Sequence, residues 1–152
     1  STVSAAAETA AAAPAAAETV LPLAGLHLLL AEDNELNSEI ATALLEEQGA
    51  SITAVENGRL ALEAIQNAAP RTYDAILMDV MMPEMNGLEA TRCIRAFEGK
   101  GPGEGTPIIA MTANVFADDV KACLDAGMNS HVGKPLDMKV LIGEILKYTD
   151  AR

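Results

Sequence analysis

The sequence predicts an α/β fold: a five-stranded parallel sheet flanked by five helices. Two observations carry that reading. From Leu26 onward, short apolar runs alternate with stretches whose apolar residues recur at helical spacing, and the alternation repeats five times. Strands that alternate with helices run parallel, because the chain must cross a face of the sheet before starting the next strand. Composition agrees. Half of the 152 residues are apolar but only 3% are aromatic, with no Trp, so the core must be built from Leu, Ile, Val, Ala and Met.

The first strand spans Leu26 to Ala31, a continuous apolar run ending in acids that suits burial on both faces. Asn34 can cap the first helix, whose expected inward face is Leu36, Ile40, Ala43 and Leu44, and Gly49 ends it. A second strand, Ser51 to Val55, leads through Glu56, Asn57 and Gly58 into a helix with Ala61, Ala64, Ile65 and Ala68 at helical spacing, stopped by Pro70. The third strand, Ala75 to Met78, runs into Asp79. After a turn at Pro83 the third helix presents Ala90, Ile94 and Phe97, and Gly99 to Gly105 is a loop. Pro107 to Met111 is the fourth strand; its helix carries Phe116, Val120, Cys123 and Leu124 and closes at Gly127. The fifth strand covers about Ser130 to Val132, and the last helix shows Met138, Leu141, Ile142, Ile145 and Tyr148.

The N-terminal stretch is different. Residues 4 to 17 contain ten alanines, and Pro14 cuts the run. An isolated helix of fewer than about 12 to 15 residues is marginal in water, so residues 1–24 read as an Ala-rich flexible linker and residues 25–152 as the domain. The chain begins at Ser1, which suggests a fragment whose linker joined an upstream domain. A net charge of −12 argues against direct nucleic-acid binding, since phosphate backbones need Lys and Arg stripes. No apolar run approaches the roughly 20 residues of a membrane span. The expected setting is the cytoplasm, either free or as the cytoplasmic part of a larger, membrane-anchored protein, with no membrane contact by this domain. Cys93 and Cys123 lack His or Cys neighbours at ligand spacing and read as half-buried packing residues in a reducing compartment.

In an open parallel sheet, functional groups gather outside the carboxyl ends of the strands. Those ends here carry Glu32 and Asp33, Asp79, Thr112 and Lys134. Three clustered carboxylates repel one another unless a cation sits among them. Oxygen-only ligands of this kind suit Mg²⁺, which completes its octahedron with water and phosphate. Lys134 and Thr112 offer a point charge and a hydroxyl to phosphoryl oxygens. Asp79 is the carboxylate left to act as nucleophile.

The stretches Ala31-Glu32-Asp33-Asn34, Leu77-Met78-Asp79-Val80-Met81-Met82-Pro83, Asn86-Gly87-Leu88-Glu89-Ala90, Ile109-Ala110-Met111-Thr112-Ala113-Asn114 and Gly133-Lys134-Pro135 stand in this order on the expected strand ends. In this arrangement residues 26 to 149 resemble the receiver domain of response regulators in two-component signalling, most of all the receivers of hybrid sensor histidine kinases. The resemblance implies the flavodoxin-like doubly wound fold with strand order 2-1-3-4-5. It implies Mg²⁺ as cofactor and a histidine kinase or histidine phosphotransfer domain as partner in a phosphorelay, with the kinase activity itself outside this chain. Asp79 matches the phosphorylated aspartate, which takes the group from a phosphohistidine. Asp33 matches the direct metal ligand, Glu32 the acid that holds the metal through water, and the Met81 carbonyl the remaining protein ligand. Thr112 and His131 match the switch pair, although the family more often has Phe or Tyr at the second position; a partly buried histidine without a task is an equal reading of His131. The Lys134–Pro135 bond is implied to be cis. Such a domain catalyses its own phosphorylation and dephosphorylation, and the face of the fourth helix, fifth strand and fifth helix is the implied signalling surface.

The side chains flanking the approach of a hydrolytic water are Met81 and Asn114. Met81 obstructs that path and Asn114 could orient a water; obstruction is expected to prevail, giving a long-lived phospho-Asp79. Two other functions compete. A Mg²⁺-dependent phosphatase with an Asp nucleophile would carry a second Asp two residues on, where Met81 stands. A pseudo-receiver, a protein-interaction module, would have lost the acids or the lysine, and all are present. His27 reads as a surface residue, and the methionines Met78, Met81, Met82, Met85 and Met111 as packing rather than a soft-metal cluster.

Overall fold

Five strands, β1 (His27–Ala31), β2 (Ser51–Val55), β3 (Ala75–Asp79), β4 (Ile108–Thr112) and β5 (Ser130–Gly133), pair in parallel in the order β2-β1-β3-β4-β5. The computed structural model describes residues 20–113 and 116–150. Five helices alternate with the strands: α1 (Glu35–Glu47), α2 (Gly58–Gln66), α3 (Gly87–Glu98), α4 (Ala117–Ala126) and α5 (Met138–Thr149). The expected strand order and the doubly wound architecture are therefore observed. β3 and β4 are buried at every position, as their unbroken apolar runs require of central strands covered on both faces.

The alternation of side chains along each strand divides the core in two. Leu28 and Leu30, Leu77, Met111 and Val132 point to one face and pack with Ala41 and Leu45 of α1 and Leu141 and Ile145 of α5. Leu29, Ile76, Met78, Ile108 and Ala110 point to the other, against α2, α3 and α4. Asn34, Asn57, Asn86 and Asp137 cap α1, α2, α3 and α5, each side chain accepting a backbone N–H of the first turn. Gly49 and Gly127, at φ +102 and +110, take the left-handed conformation that lets the chain leave α1 and α4.

Several expectations need correction. On α1 the inward residues are Ala41 and Leu45, while Leu36 is 64% and Ile40 50% exposed and Ala43 faces solvent. Six apolar residues spread over a wide arc of this helix, so spacing alone left its rotation open. Phe97, Phe116 and Leu124 are likewise exposed. α3 instead buries Thr91 and Arg95 beside Ala90 and Ile94. α2 ends at Gln66, ahead of Pro70. The folded unit starts before residue 25: Leu23 is fully buried and its N–H donates to the Gln48 carbonyl at 2.9 Å. The rest of the expected linker, residues 1–19, lies outside the described residues. His27 is half-buried rather than a surface residue, its Nε2 2.7 Å from Thr53 Oγ1 and its ring 4.7 Å from that of Tyr73.

Arg95 is buried because each nitrogen of its guanidinium donates to an acceptor. Nε donates to the Gly127 carbonyl, Nη1 to Glu98 Oε1 and the Thr106 carbonyl, and Nη2 to Asn129 Oδ1, all at 2.9–3.0 Å. Glu98 Oε2 in turn accepts from Thr106 N and Oγ1. This knot ties the end of α3, the start of β4 and the α4–β5 turn together, at the edge of the sheet opposite Asp79.

Candidate active site

Asp79 ends β3 at the carboxyl edge of the sheet, 5% exposed. Glu32 and Asp33 follow β1 next to it, and carboxylate oxygens of the three residues lie within 4.8 Å of one another. Glu32 is buried and Asp33 exposed, so the cluster opens to solvent on one side. Glu32 Oε2 is held by the Asn34 N–H at 3.1 Å, which leaves Oε1 for another partner. That partner is Lys134, whose Nζ lies 2.9 Å from Glu32 Oε1 and 3.0 Å from Asp79 Oδ2. Asp79 Oδ1 accepts a longer bond, 3.3 Å, from the Met81 N–H.

Lys134 stays charged in this half-buried setting. Burial pulls its pKa down most strongly, but the hydrogen bonds to Glu32 and Asp79, together with the charges of both, outweigh burial and raise it above the ordinary lysine value. Three carboxylates against one ammonium leave two negative charges in the cluster. A hard divalent cation with oxygen preference matches that balance, so the donor set fits Mg²⁺.

The remaining expected residues fall into place around the cluster to different degrees. Thr112 ends β4, 8% exposed, and its carbonyl accepts the Lys134 N–H at 2.9 Å, tying the two strand ends together. Register pairs Ala110 with His131 and Thr112 with Gly133. Thr112 and His131 therefore share the α4 side of the sheet one pleat apart, opposite in sense to Met111 and Val132. The Lys134–Pro135 bond is cis. Met81 is 77% exposed. Asn114 lies outside the described residues.

Sequence reasoning missed what Gly87 does. A Cβ there would run into the Asp79 carbonyl oxygen and crowd Met78, while the Gly87 N–H donates to the Val80 carbonyl at 2.9 Å. The start of α3 thus rests directly on the backbone of the acidic residue, and only glycine fits. The Asn86-Gly87 pair after the Pro83 turn was the available signal.

Residues 28–146 match the family model of the response regulator receiver domain. The chain belongs to this family. Receiver relatives at comparable similarity sit within much longer proteins: probable histidine kinase 1 of Oryza sativa subsp. indica is 41% identical over 140 residues, covering 74% of this chain. Sensor protein GacS of Pseudomonas syringae pv. syringae is 38% identical over 122 residues, covering 80%. The chain spans only 14% and 13% of the length of these two relatives. Among solved receivers, that of sensor histidine kinase PA1611 from Pseudomonas aeruginosa, with a magnesium ion coordinated in its active-site cleft, is 38% identical. It superposes with a TM-score of 0.72 over 84% of this chain and 99% of its own. The receiver domain of Saccharomyces cerevisiae Ssk1, co-crystallised with the histidine phosphotransfer protein Ypd1, is 25% identical with a TM-score of 0.75, covering 84% and 91%.

Proposed function

We propose that this receiver accepts a phosphoryl group from a phosphohistidine onto Asp79 and uses the modification as a switch, within a hybrid histidine kinase or its phosphorelay. The observation that carries the reading is the Glu32, Asp33 and Asp79 cluster with Lys134 bonded across it. Glu32, Asp33, Asp79 and the Met81 carbonyl would hold Mg²⁺. When bound, the ion neutralises charge on the transferring phosphoryl oxygens. The protein's own groups do the rest. An Asp79 carboxylate oxygen attacks phosphorus in line as the phosphorus–nitrogen bond breaks, leaving its electron pair on the donor imidazole. Lys134 follows the charge from the carboxylate to a phosphoryl oxygen, and the Thr112 hydroxyl donates to another.

The donor reaches Asp79 beside α1. There Leu36 and Ile40 are exposed, and a groove of about 500 Å³ lined by Ile40, Leu44, Leu136 and Pro135 runs to Glu32 and Lys134. An apolar strip continuous with the acid cluster suits a helical face carrying the phosphohistidine. The solved complex of a receiver relative with a histidine phosphotransfer protein supports a partner of this class.

The test is to incubate the protein with a small acyl phosphate, with and without Mg²⁺, and weigh it intact. One phosphoryl group gained only with Mg²⁺, and lost in Asp79→Asn, is the expected result; that substitution keeps the size but removes a nucleophilic oxygen. Labelling that persists in Asp79→Asn means another acceptor. No gain at all indicates a pseudo-receiver, and release of phosphate from many esters a phosphatase.

A further inference from the structure

We propose that Met81 is an oxidation site through which hydroperoxides shorten the life of the phosphorylated state; the proposal rests on the reading of Asp79 as phosphoacceptor. All seven methionines of the chain lie among the described residues, and their exposure differs sharply. Met78, Met82, Met111 and Met128 are at most 9% exposed, Met85 and Met138 are half-buried, and Met81 is 77% exposed. A core built on methionine is normally a liability to oxidants, because a sulfoxide is polar and does not fit where a thioether packed. Here burial protects the packing methionines, and the accessible one stands two residues after Asp79.

Its position ties the modification to the chemistry. The Met81 N–H donates to Asp79 Oδ1 at 3.3 Å, so the root of this side chain is held against the acceptor carboxylate. In the reaction the thioether sulfur attacks the distal oxygen of a hydroperoxide. The oxygen–oxygen bond breaks, and sulfoxide and water or an alcohol are the products. Sulfur is oxidised by two electrons and the peroxide is reduced by two. The product exchanges an apolar group for a strong hydrogen-bond acceptor at nearly unchanged size. A thioether is at most a weak acceptor and orients a water poorly; a sulfoxide at Met81 accepts a hydrogen bond from one strongly. Loss of the phosphoryl group then accelerates by roughly two- to tenfold, the span of one neutral hydrogen bond. The same step is reversible by methionine sulfoxide reductases, which makes it usable as a signal.

The experiment treats the whole chain with limiting hydrogen peroxide, maps the added oxygen by peptide mass, and follows decay of the phosphoryl group from acyl-phosphate-labelled protein. Met81 should gain oxygen before the other six methionines. Decay should quicken within the stated range, and reductase treatment should restore the slower rate. In M81L, compared with its own untreated sample, peroxide should leave decay unaltered. Oxidation that falls first on another methionine overturns the proposal, as does unchanged or slower decay once Met81 is oxidised, or peroxide sensitivity that survives in M81L. Failure of the untreated protein to label at all sinks the phosphoacceptor reading itself, and is told apart because the order of oxidation is read independently by mass.

Discussion

Lys134 shares one ammonium between two carboxylates, so its removal acts on the site in two ways. Lys134→Ala deletes the donor that would follow charge onto the phosphoryl group, and it frees Glu32 Oε1 and Asp79 Oδ2 to face one another. The expected outcome is loss of the switching response with Mg²⁺ affinity retained or increased, since the added negative charge favours the cation. Titration of Mg²⁺ against intrinsic Tyr fluorescence or by calorimetry, beside labelling by acyl phosphate, checks both arms. A large fall in Mg²⁺ affinity would contradict the assignment. The strand-end position of this lysine was readable in the sequence. That it binds Glu32 as well as Asp79 was not, because 102 and 55 residues separate the partners and only the fold closes those gaps.

At the scale of the element, α1 shows what periodicity leaves open. Leu36, Ile40 and Leu44 share one stripe and Ala41 and Leu45 the next, and the sheet takes the second. Leu45→Ala should therefore cost about 2–5 kcal/mol of stability. Leu36→Ala and Ile40→Ala should change stability by no more than about 0.5 kcal/mol. If the exposed stripe receives the phosphohistidine donor, those two substitutions slow transfer from a histidine phosphotransfer protein while leaving labelling by small acyl phosphates intact. Denaturant melts and paired transfer assays separate the roles. On α3 the buried guanidinium of Arg95 leaves Glu98, 13% exposed, without its cation when removed. Arg95→Ala should destabilise by roughly 3–5 kcal/mol, the cost of an uncompensated buried charge, in the same melts. Nothing in the helical pattern marked Arg95 as interior. Its burial depends on carbonyls from Thr106 and Gly127 and on Asn129, which the chain delivers from two other segments.

Across the whole molecule, the cluster and the α4 side of the sheet are joined at the ends of β4 and β5. The Lys134 N–H bonds the Thr112 carbonyl, and Thr112 and His131 occupy one face of neighbouring strands. Drawing the Thr112 hydroxyl toward a phosphoryl group would bias two arrangements of the surface made by α4, β5 and α5. Amide hydrogen exchange with and without a phosphoryl mimic in Mg²⁺ should differ at residues 112–121 and 129–135. Differences confined to the Ala-rich N-terminal stretch would refute that coupling.

The sequence by itself determined the order and type of the ten elements, the parallel sheet, and the gathering of Glu32, Asp33, Asp79, Thr112 and Lys134 at one edge. It could do so because apolar runs, helical spacing and a cap such as Asn34 are local, and a parallel α/β topology then places every strand end on the same side. Tertiary structure alone decided which stripe of α1 turns inward, the Arg95 knot, the seat of Leu23 in the core, and the need for glycine at position 87. The first three depend on atoms brought from distant parts of the chain into contact at van der Waals or hydrogen-bond range, which no local pattern of residues encodes. Gly87 answers instead to the nearby Asp79 backbone, for which the Asn86-Gly87 pair was a local hint.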